Sequence, residues 1–357
     1  MDTIRIGIVG GGSIVKGHHM PGLQAIDGIE IVAVCNSTPE SSERFANEYG
    51  VTKVYSDWRE LVQSRDLDAV LIGTWPYLHK DVSVMALEND KHVFCQARMA
   101  MNAREAREMN DAAEKSGNVA MVCPAPTGIA GDRLMQRLLS ENYVGQVYAI
   151  HVRALGDSWA SPVKDFHWRL DGKLSGLNAL AVGLYVEWVH RWFGSTRRIS
   201  AEVMHCIPER RDPATGDTRR VDTPDIVLAH GQMASGAVVN YEFSGVHRHA
   251  GDDVIEVYGS EGTLRYVVGK DEIAGGRDGS FEIIPCPGDL VRPWDVESIW
   301  IDGIRTGSAV SPSFSDGLAY MDVTEAVHRS ASCGRAIDLP MSDKLRGAPL
   351  TEHGNVK

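Results

Sequence analysis

The chain lacks any run of eighteen apolar residues, so no membrane-spanning helix is expected. Its first residues, MDTIRIGIVGGG, hold no basic stretch followed by an apolar core and cleavage site, so no secretory signal is read. Cysteine is sparse: Cys35, Cys95, Cys123, Cys206, Cys286 and Cys333 are scattered and form no CxxC, which reads as reduced thiols and a cytoplasmic setting. Positive charge is in deficit, with 36 Lys and Arg against 48 Asp and Glu and a net charge of −12. That mean field repels phosphate, which argues against nucleic-acid or anionic-membrane partners and leaves only a local basic site open. Internal repeats, low-complexity segments, a GxSxG elbow and a Ser-His-Asp order are all missing.

What is present reads as two domains in 357 residues. Up to about residue 124, short apolar runs (IRIGIV, IEIVAVC, DAVLI, KHVFC, NVAMVC) alternate with helical patterns, the signature of a parallel sheet covered on both faces. Residues 130–141 then read as a helix, 146–152 as a strand and 178–193 as an unusually apolar helix. From Ile199 strands predominate, and a helix over about 315–333 closes the chain. The expected fold is α/β: a doubly wound parallel sheet over residues 1–124, then an α+β domain over 125–357 with a large, open, mostly antiparallel sheet. The polar stretch 208–222 reads as a solvated hairpin tip.

Gly10-Gly11-Gly12 follows the first strand and opens a helix, most of a GxGxxG dinucleotide fingerprint. Gly10 permits the tight turn; Gly12, with Ser13 and Ile14 after it, lets backbone N–H groups approach a pyrophosphate. The third glycine position is Val15, whose branched side chain is expected to spoil the close helix–strand contact. The second strand ends in Asn36-Ser37-Thr38, where an acidic residue would have chelated the ribose and repelled a 2′-phosphate. Asn36 cannot repel it, Ser37 and Thr38 have donors to offer, and Arg44 follows on the next helix. The cofactor is thus NAD or NADP, with a lean to NADP.

With these motifs in order, the chain resembles the Gfo/Idh/MocA oxidoreductases over roughly residues 3–340. The likeness includes IGIVGGGSI, DAVLIGT with a loop ending in His79, KHVFCQARMAMNAREA, WRLDGKLSG, the helix around Gly183 and Trp192, VYGSEGTL and GRAIDLP. The resemblance implies an N-terminal Rossmann domain and a C-terminal sheet that pairs subunits into a homodimer or homotetramer. It also implies hydride transfer between NAD(P) and a hydroxyl carbon of a sugar, cyclitol or related small molecule. It places Thr74, Trp75, His79 and Gln96 beside the cofactor and brings residues 164–169 toward the substrate. The usual Glu-Lys-Pro is here Gln96-Ala97-Arg98, and the usual D-x-G-x-H keeps Gly183 but carries Ala181 and Tyr185. The family's proton-handling lysine, aspartate and histidine are therefore absent.

Other residues must carry the chemistry. Helical spacing puts Asn178, Ala181 and Tyr185 on one face, so a phenol and a carboxamide replace the Asp/His pair. Tyr185 becomes the proton-handling candidate if a nearby cation, Arg98, lowers its pKa. His167 is a candidate acid/base, and Trp168, Arg169 and Asn178 are candidates for shaping the substrate pocket. Glu187 and His190, three apart, read as a simple ion pair. His247 and His249 alternate on an expected strand with Asp252 nearby, but spacing places no third ligand, so no metal is assigned. Three functions stay open: a dehydrogenase, a redox-neutral NAD-dependent lyase or hydrolase working through transient oxidation, and a non-catalytic dinucleotide-binding protein.

Overall fold

The computed structural model describes residues 3–124, 131–291 and 294–350. In chain order the first part contains β1 (Ile4–Val9), α1 (Met20–Gln24), β2 (Ile29–Cys35), α2 (Pro39–Tyr49), β3 (Lys53–Val54), α3 (Trp58–Gln63), β4 (Ala69–Ile72), α4 (Pro76–Glu88), β5 (His92–Cys95), α5 (Ala103–Ser116) and β6 (Ala120–Val122). These strands form a parallel sheet in the order β3-β2-β1-β4-β5-β6, the order of doubly wound dinucleotide-binding sheets. All four residues of β4 are fully buried, as a strand covered on both faces requires. The helices start and stop where side chains dictate. Asn102 caps α5 by accepting from the Glu105 amide at 3.0 Å, and Gly117, at φ 71°, ends it.

The second part contains α6 (Asp132–Ser140), β7 (Val147–Leu155), α7 (Gly172–Ser175), α8 (Val182–Phe193), β8 (Thr196–Met204), β9 (Glu209–Arg211), β10 (Thr218–Arg220), β11 (Ile226–Met233), β12 (Val238–Ser244), β13 (Val254–Gly259), β14 (Thr263–Val267), β15 (Glu272–Gly276) and β16 (Glu282–Ile283). After it come α9 (Val296–Thr306), α10 (Phe314–Cys333) and β17 (Ile337–Asp338). Among the described residues, nine strands form the sheet β16-β15-β14-β13-β7-β12-β11-β8-β17. It is antiparallel except where β7 runs parallel to β12.

Contacts divide the chain into two compact units, Met1–Pro126 with Asp295–Leu318, and Thr127–Trp294 with Ala319–Lys357. The chain thus returns to the first unit late. There α9 packs Trp300 on Phe94, with ring centroids 5.4 Å apart, and brings Glu297 to His19. Among the described residues no helix is long and apolar enough to cross a membrane.

The stretch 208–222 is a largely exposed hairpin, as the sequence suggests, with Arg210 and Val221 the buried exceptions. β9 and β10 pair as a two-stranded ribbon, and Arg210 on β9 is only 2 % exposed. Its guanidinium is drawn inward because the backbone of residues 159–164 turns carbonyls toward it.

Candidate functional site

In the first unit the glycine turn crosses the C-terminal end of β1. Gly10 sits at φ +88°, and a Cβ there would stand 2.7 Å from the Thr74 nitrogen. A Cβ on Gly12 would meet nothing within 4 Å, so this backbone is open to an approaching ligand. Asn36 holds the turn from the end of β2. Its Oδ1 accepts from the Gly11 amide at 2.6 Å, its Nδ2 donates to the Ser41 carbonyl at 3.0 Å, and its own amide donates to Ser42 Oγ at 2.8 Å. Ser37 and Thr38 are exposed, and Thr38 caps α2. Ser13 and Ile14 follow the turn and lead into a wide π-helical turn, Val15–His19, before α1 begins at Met20 with Pro21 in its first turn.

Val15 does not spoil the helix–strand contact. It is fully buried, and the space it needs is vacated by Gly73, where a Cβ would lie 2.3 Å from Val15 Cγ2. The missing glycine has in effect been exchanged across the contact. Gly73→Ala should therefore destabilise the protein by about 3 kcal/mol in urea unfolding. Adding Val15→Ala should recover only part of that, because the new methyl would still stand 2.5 Å from the Gly10 carbonyl.

Thr74 Oγ1 is buried beside this turn and has no hydrogen-bond partner among the described residues. Trp75, at the start of α4, is exposed. His79 is fully buried and faces carbonyls only: Nε2 is 3.0 Å from Thr74 O, and Nδ1 is 3.0 Å from Arg98 O and 3.2 Å from Met99 O. It clamps the loop after β4 to the loop after β5. Gln96, which opens that second loop, is buried with Oε1 2.9 Å from His19 Nε2, while His19 Nδ1 is 2.5 Å from Glu297 Oε1. Arg98 follows a cis Ala97–Arg98 peptide and is half-buried.

Burial pushes the pKa of His79 down, and that of His328 in the second unit down to about 4. Above about pH 6.5 both the folded and unfolded chains leave such imidazoles neutral. Below it the unfolded chain takes up protons that the folded chain refuses, so stability is lost as the pH falls from about 6.5 toward 4. Urea midpoints measured from pH 7.5 down to 5 should fall steadily, and a flat series would contradict the assignment.

In the second unit Tyr185 is buried on α8 and donates to Asp253 Oδ2 at 2.7 Å, while the Leu155 amide donates to Asp253 Oδ1 at 3.1 Å. The expectation of a lowered phenol pKa is therefore corrected. Burial first and the Asp253 carboxylate second push the Tyr185 pKa up. The shared face of Asn178, Ala181 and Tyr185 is also corrected. The helix begins only at Val182, because Leu180 adopts φ +47° and breaks the spiral. Asn178 is buried ahead of it, with Nδ2 donating to Ser175 O at 2.6 Å. Gly183 earns its place through packing, since a Cβ would lie 3.0 Å from the Tyr320 ring on α10.

Arg191, one turn on from Glu187, donates to it through Nε at 3.0 Å and Nη2 at 2.7 and 2.8 Å and reaches Asp132 at 3.1 Å, while His190 Nε2 lies 3.0 Å from Thr196 Oγ1. The planar guanidinium fork at i+4 suits the Glu187 carboxylate. His167 Nδ1 accepts from the Arg169 amide at 3.2 Å, which leaves Nε2 to carry the proton of the neutral ring. Its ring is tilted against those of Trp159 and Trp168, with centroids 5.6 and 5.5 Å away. Arg169 lays its guanidinium 4.4 Å over Trp168.

His247 and His249 lie on a turn between β12 and β13 rather than on a strand, with His249 at φ +56°. Among the described residues no cluster of three His, Cys, Asp or Glu is placed to hold a metal. Sequence reasoning missed Asp253, Glu297 and Arg210. The HRHAGDD run drew the eye to Asp252, which instead pairs with Lys270 at the surface at 2.6 Å.

An open glycine backbone, a buried unpartnered hydroxyl at Thr74 and the 3-2-1-4-5-6 sheet order fit a dinucleotide. Comparison with known proteins agrees. Residues 4–123 match the Gfo/Idh/MocA oxidoreductase family with an NAD-binding Rossmann fold, and residues 133–265 match the family's C-terminal domain. The chain is 25% identical to levoglucosan dehydrogenase of Pseudarthrobacter phenanthrenivorans, across 95% of this chain and 99% of that one. It is 24% identical to inositol 2-dehydrogenase of Burkholderia cenocepacia, across 96% and 98%. A solved levoglucosan dehydrogenase in complex with NADH superposes with a TM-score of 0.84 at 22% identity, across 96% of this chain and all of that one. The chain belongs to the Gfo/Idh/MocA family and is an NAD-binding oxidoreductase.

Proposed function

We propose that this enzyme transfers a hydride between nicotinamide and a hydroxyl-bearing carbon of a sugar-like or related polyol. The observation that carries the reading is the open Gly10–Gly12 turn beside the unpartnered Thr74 hydroxyl, on a sheet of dinucleotide-binding order. Gly10, Gly12, Ser13, Ile14, Thr74 and Trp75 border the cofactor, while His79 and Gln96 fix the two loops beside it. When bound, NAD(P) supplies the hydride acceptor. The names of the relatives, a levoglucosan and an inositol dehydrogenase, support a hydroxylated ring as substrate.

The substrate hydroxyl passes its proton to Tyr185 Oη while the Tyr185 proton moves to Asp253 Oδ2, so no free phenolate is needed. That route suits a phenol whose pKa is raised rather than lowered. Arg98 supplies positive charge toward the developing alkoxide. His167 Nε2 and Trp168 contact the substrate ring, and Asn178 and Arg169 complete its pocket. Ser37, Thr38 and Arg44, exposed beyond Asn36 with no acidic residue at that position, favour acceptance of a 2′-phosphate and hence NADP.

The protein works as a homodimer or homotetramer through the open face of the C-terminal sheet. That face carries exposed Leu228 and Val238 among Arg153, Glu202 and Glu242, a mixture of signs that a two-fold axis can pair with itself. Unpaired cysteines at all six positions support a cytoplasmic setting.

The test is a screen of polyols with NAD and NADP, following NADH or NADPH formation, after the nucleotide retained by the purified protein has been identified by mass spectrometry. Net reduced cofactor supports the reading. Product formation without it points to redox-neutral elimination, and failure to bind either nucleotide removes both.

A further inference from the structure

The segment 157–171 is built on a buried charge. Arg210 donates through Nη1 to Ser161 O at 2.8 Å and to Lys164 O at 3.2 Å, and through Nη2 to Trp159 O at 2.6 Å. Its Nε is buried without a hydrogen-bond partner, and no carboxylate among the described residues pairs with the group. A guanidinium that organises three carbonyls of one loop is a template for that loop.

On this template cationic and aromatic side chains lie against one another. Lys164 Nζ lies 4.5 Å over Trp159, the His167 ring is tilted against both Trp159 and Trp168, and Arg169 lies 4.4 Å over Trp168. Lys164 donates to Ser158 O at 2.7 Å, and Arg248 reaches Ala160 O at 3.2 Å. None of Lys164, Arg169, Arg210 and Arg248 has a carboxylate partner among the described residues. The neighbouring arginines do: Arg211 pairs with Asp165 at 2.9 Å, and Arg219 with Asp171 at 2.5 Å and Asp212 at 3.2 Å.

Acidic residues exceed basic ones by 48 to 36 in this chain, so a patch of unpaired cations runs against the chain's own composition. Cation–ring contacts hold Lys164 and Arg169 in place but leave their charge uncompensated. Lys164 and Arg169 also crowd His167 and help hold its pKa down, which keeps the ring neutral beside them.

We propose that Lys164 and Arg169, presented on the Arg210-templated loop, bind an anionic group of the substrate, so that the enzyme acts on hydroxylated acids or sugar phosphates rather than on neutral polyols. The inference rests on the proposed substrate role of His167 to Arg169. Arg169's planar fork matches a carboxylate or a phosphate bidentately, and the flexible Lys164 ammonium adds a second charge.

The test titrates the holoprotein, saturated with NAD, with D-gluconate, D-glucose 6-phosphate and D-glucose, following tryptophan fluorescence and cofactor reduction at low and high salt. Gluconate or glucose 6-phosphate should bind at least about 30-fold more tightly than glucose. Which of the two wins identifies the anion. The advantage should shrink in high salt, and it should collapse toward parity in Arg169→Gln and Lys164→Gln, both exposed positions that spare the fold. Equal affinity for neutral and anionic ligands, absence of anion binding in the wild type, or an undiminished preference in both variants overturns the proposal. Oxidation of neutral polyols alone, with reduction of NAD, would do so while leaving the dehydrogenase reading intact. Anion binding that is lost in Arg169→Gln, in a protein that reduces no cofactor with any compound, would keep the anion site and remove the dehydrogenase.

Discussion

Gly12→Val should leave the melting temperature of the cofactor-free protein in place and weaken NADH binding by about 100-fold, or about 2.7 kcal/mol. The folded chain gives no reason to resist the change. Position 12 is exposed, lies outside the left-handed region, and a Cβ there would have no neighbour within 4 Å. Substitutions at such open surface positions move stability by about 0.5 kcal/mol or less. The cost falls on the ligand, because the pyrophosphate must approach the backbone where the new side chain stands. Gly10→Ala provides the contrast. Its φ of +88° and the Thr74 nitrogen at 2.7 Å make it costly before any ligand arrives, so it should lose stability and binding together. Calorimetric unfolding and NADH fluorescence titration on both variants separate the two effects. Wild-type affinity in Gly12→Val would remove this turn from the cofactor site.

The strands of the first unit were legible because a buried parallel strand is an apolar run and nothing else: Ile4–Val9 and Ile29–Cys35 appear at the bounds their sequences suggest. Ala103–Ser116 was equally clear, with a cap at one end and a glycine at the other. The late return of 295–318 to the first unit was not legible, since helix periodicity does not say which sheet a helix covers. Local spacing also misled at the site. It projected a helix back through Asn178, but the turn at Leu180 comes from tertiary packing that no propensity announces. Val15 looked like a defect because its complement, Gly73, lies 58 positions away. Arg210 hid in a stretch whose composition reads as solvent-facing. A buried arginine is recognised by the carbonyls it serves, and these belong to a segment some 50 residues earlier. Asp253 was passed over for its neighbour, because adjacent residues on a strand margin face opposite ways and sequence does not say which is turned inward.

The Tyr185–Asp253 pair should prove indivisible. Tyr185→Phe is expected to lower kcat by about 10² to 10³-fold with little change in KM, the range for loss of a positioned proton-transfer group. Asp253→Asn keeps an oxygen for the Leu155 amide and turns an NH2 donor toward the phenol oxygen, which can accept from it, so the fold should tolerate it, yet an amide cannot take up the relayed proton. Its kcat should fall by a similar factor. Two groups that act as one relay are not additive, so the double variant should be no slower than the worse single variant by more than about threefold. The pH profile discriminates further. Burial and the carboxylate hold the Tyr185 proton on well above the usual range for a phenol, so a mechanism that needed free phenolate would still be accelerating at pH 10. The relay needs no free phenolate and predicts a plateau in kcat through that region. A kcat that climbs to the alkaline limit, or singles whose losses multiply in the double variant, would separate Tyr185 from Asp253 and return the proton to another group, with His167 Nε2 the next to test.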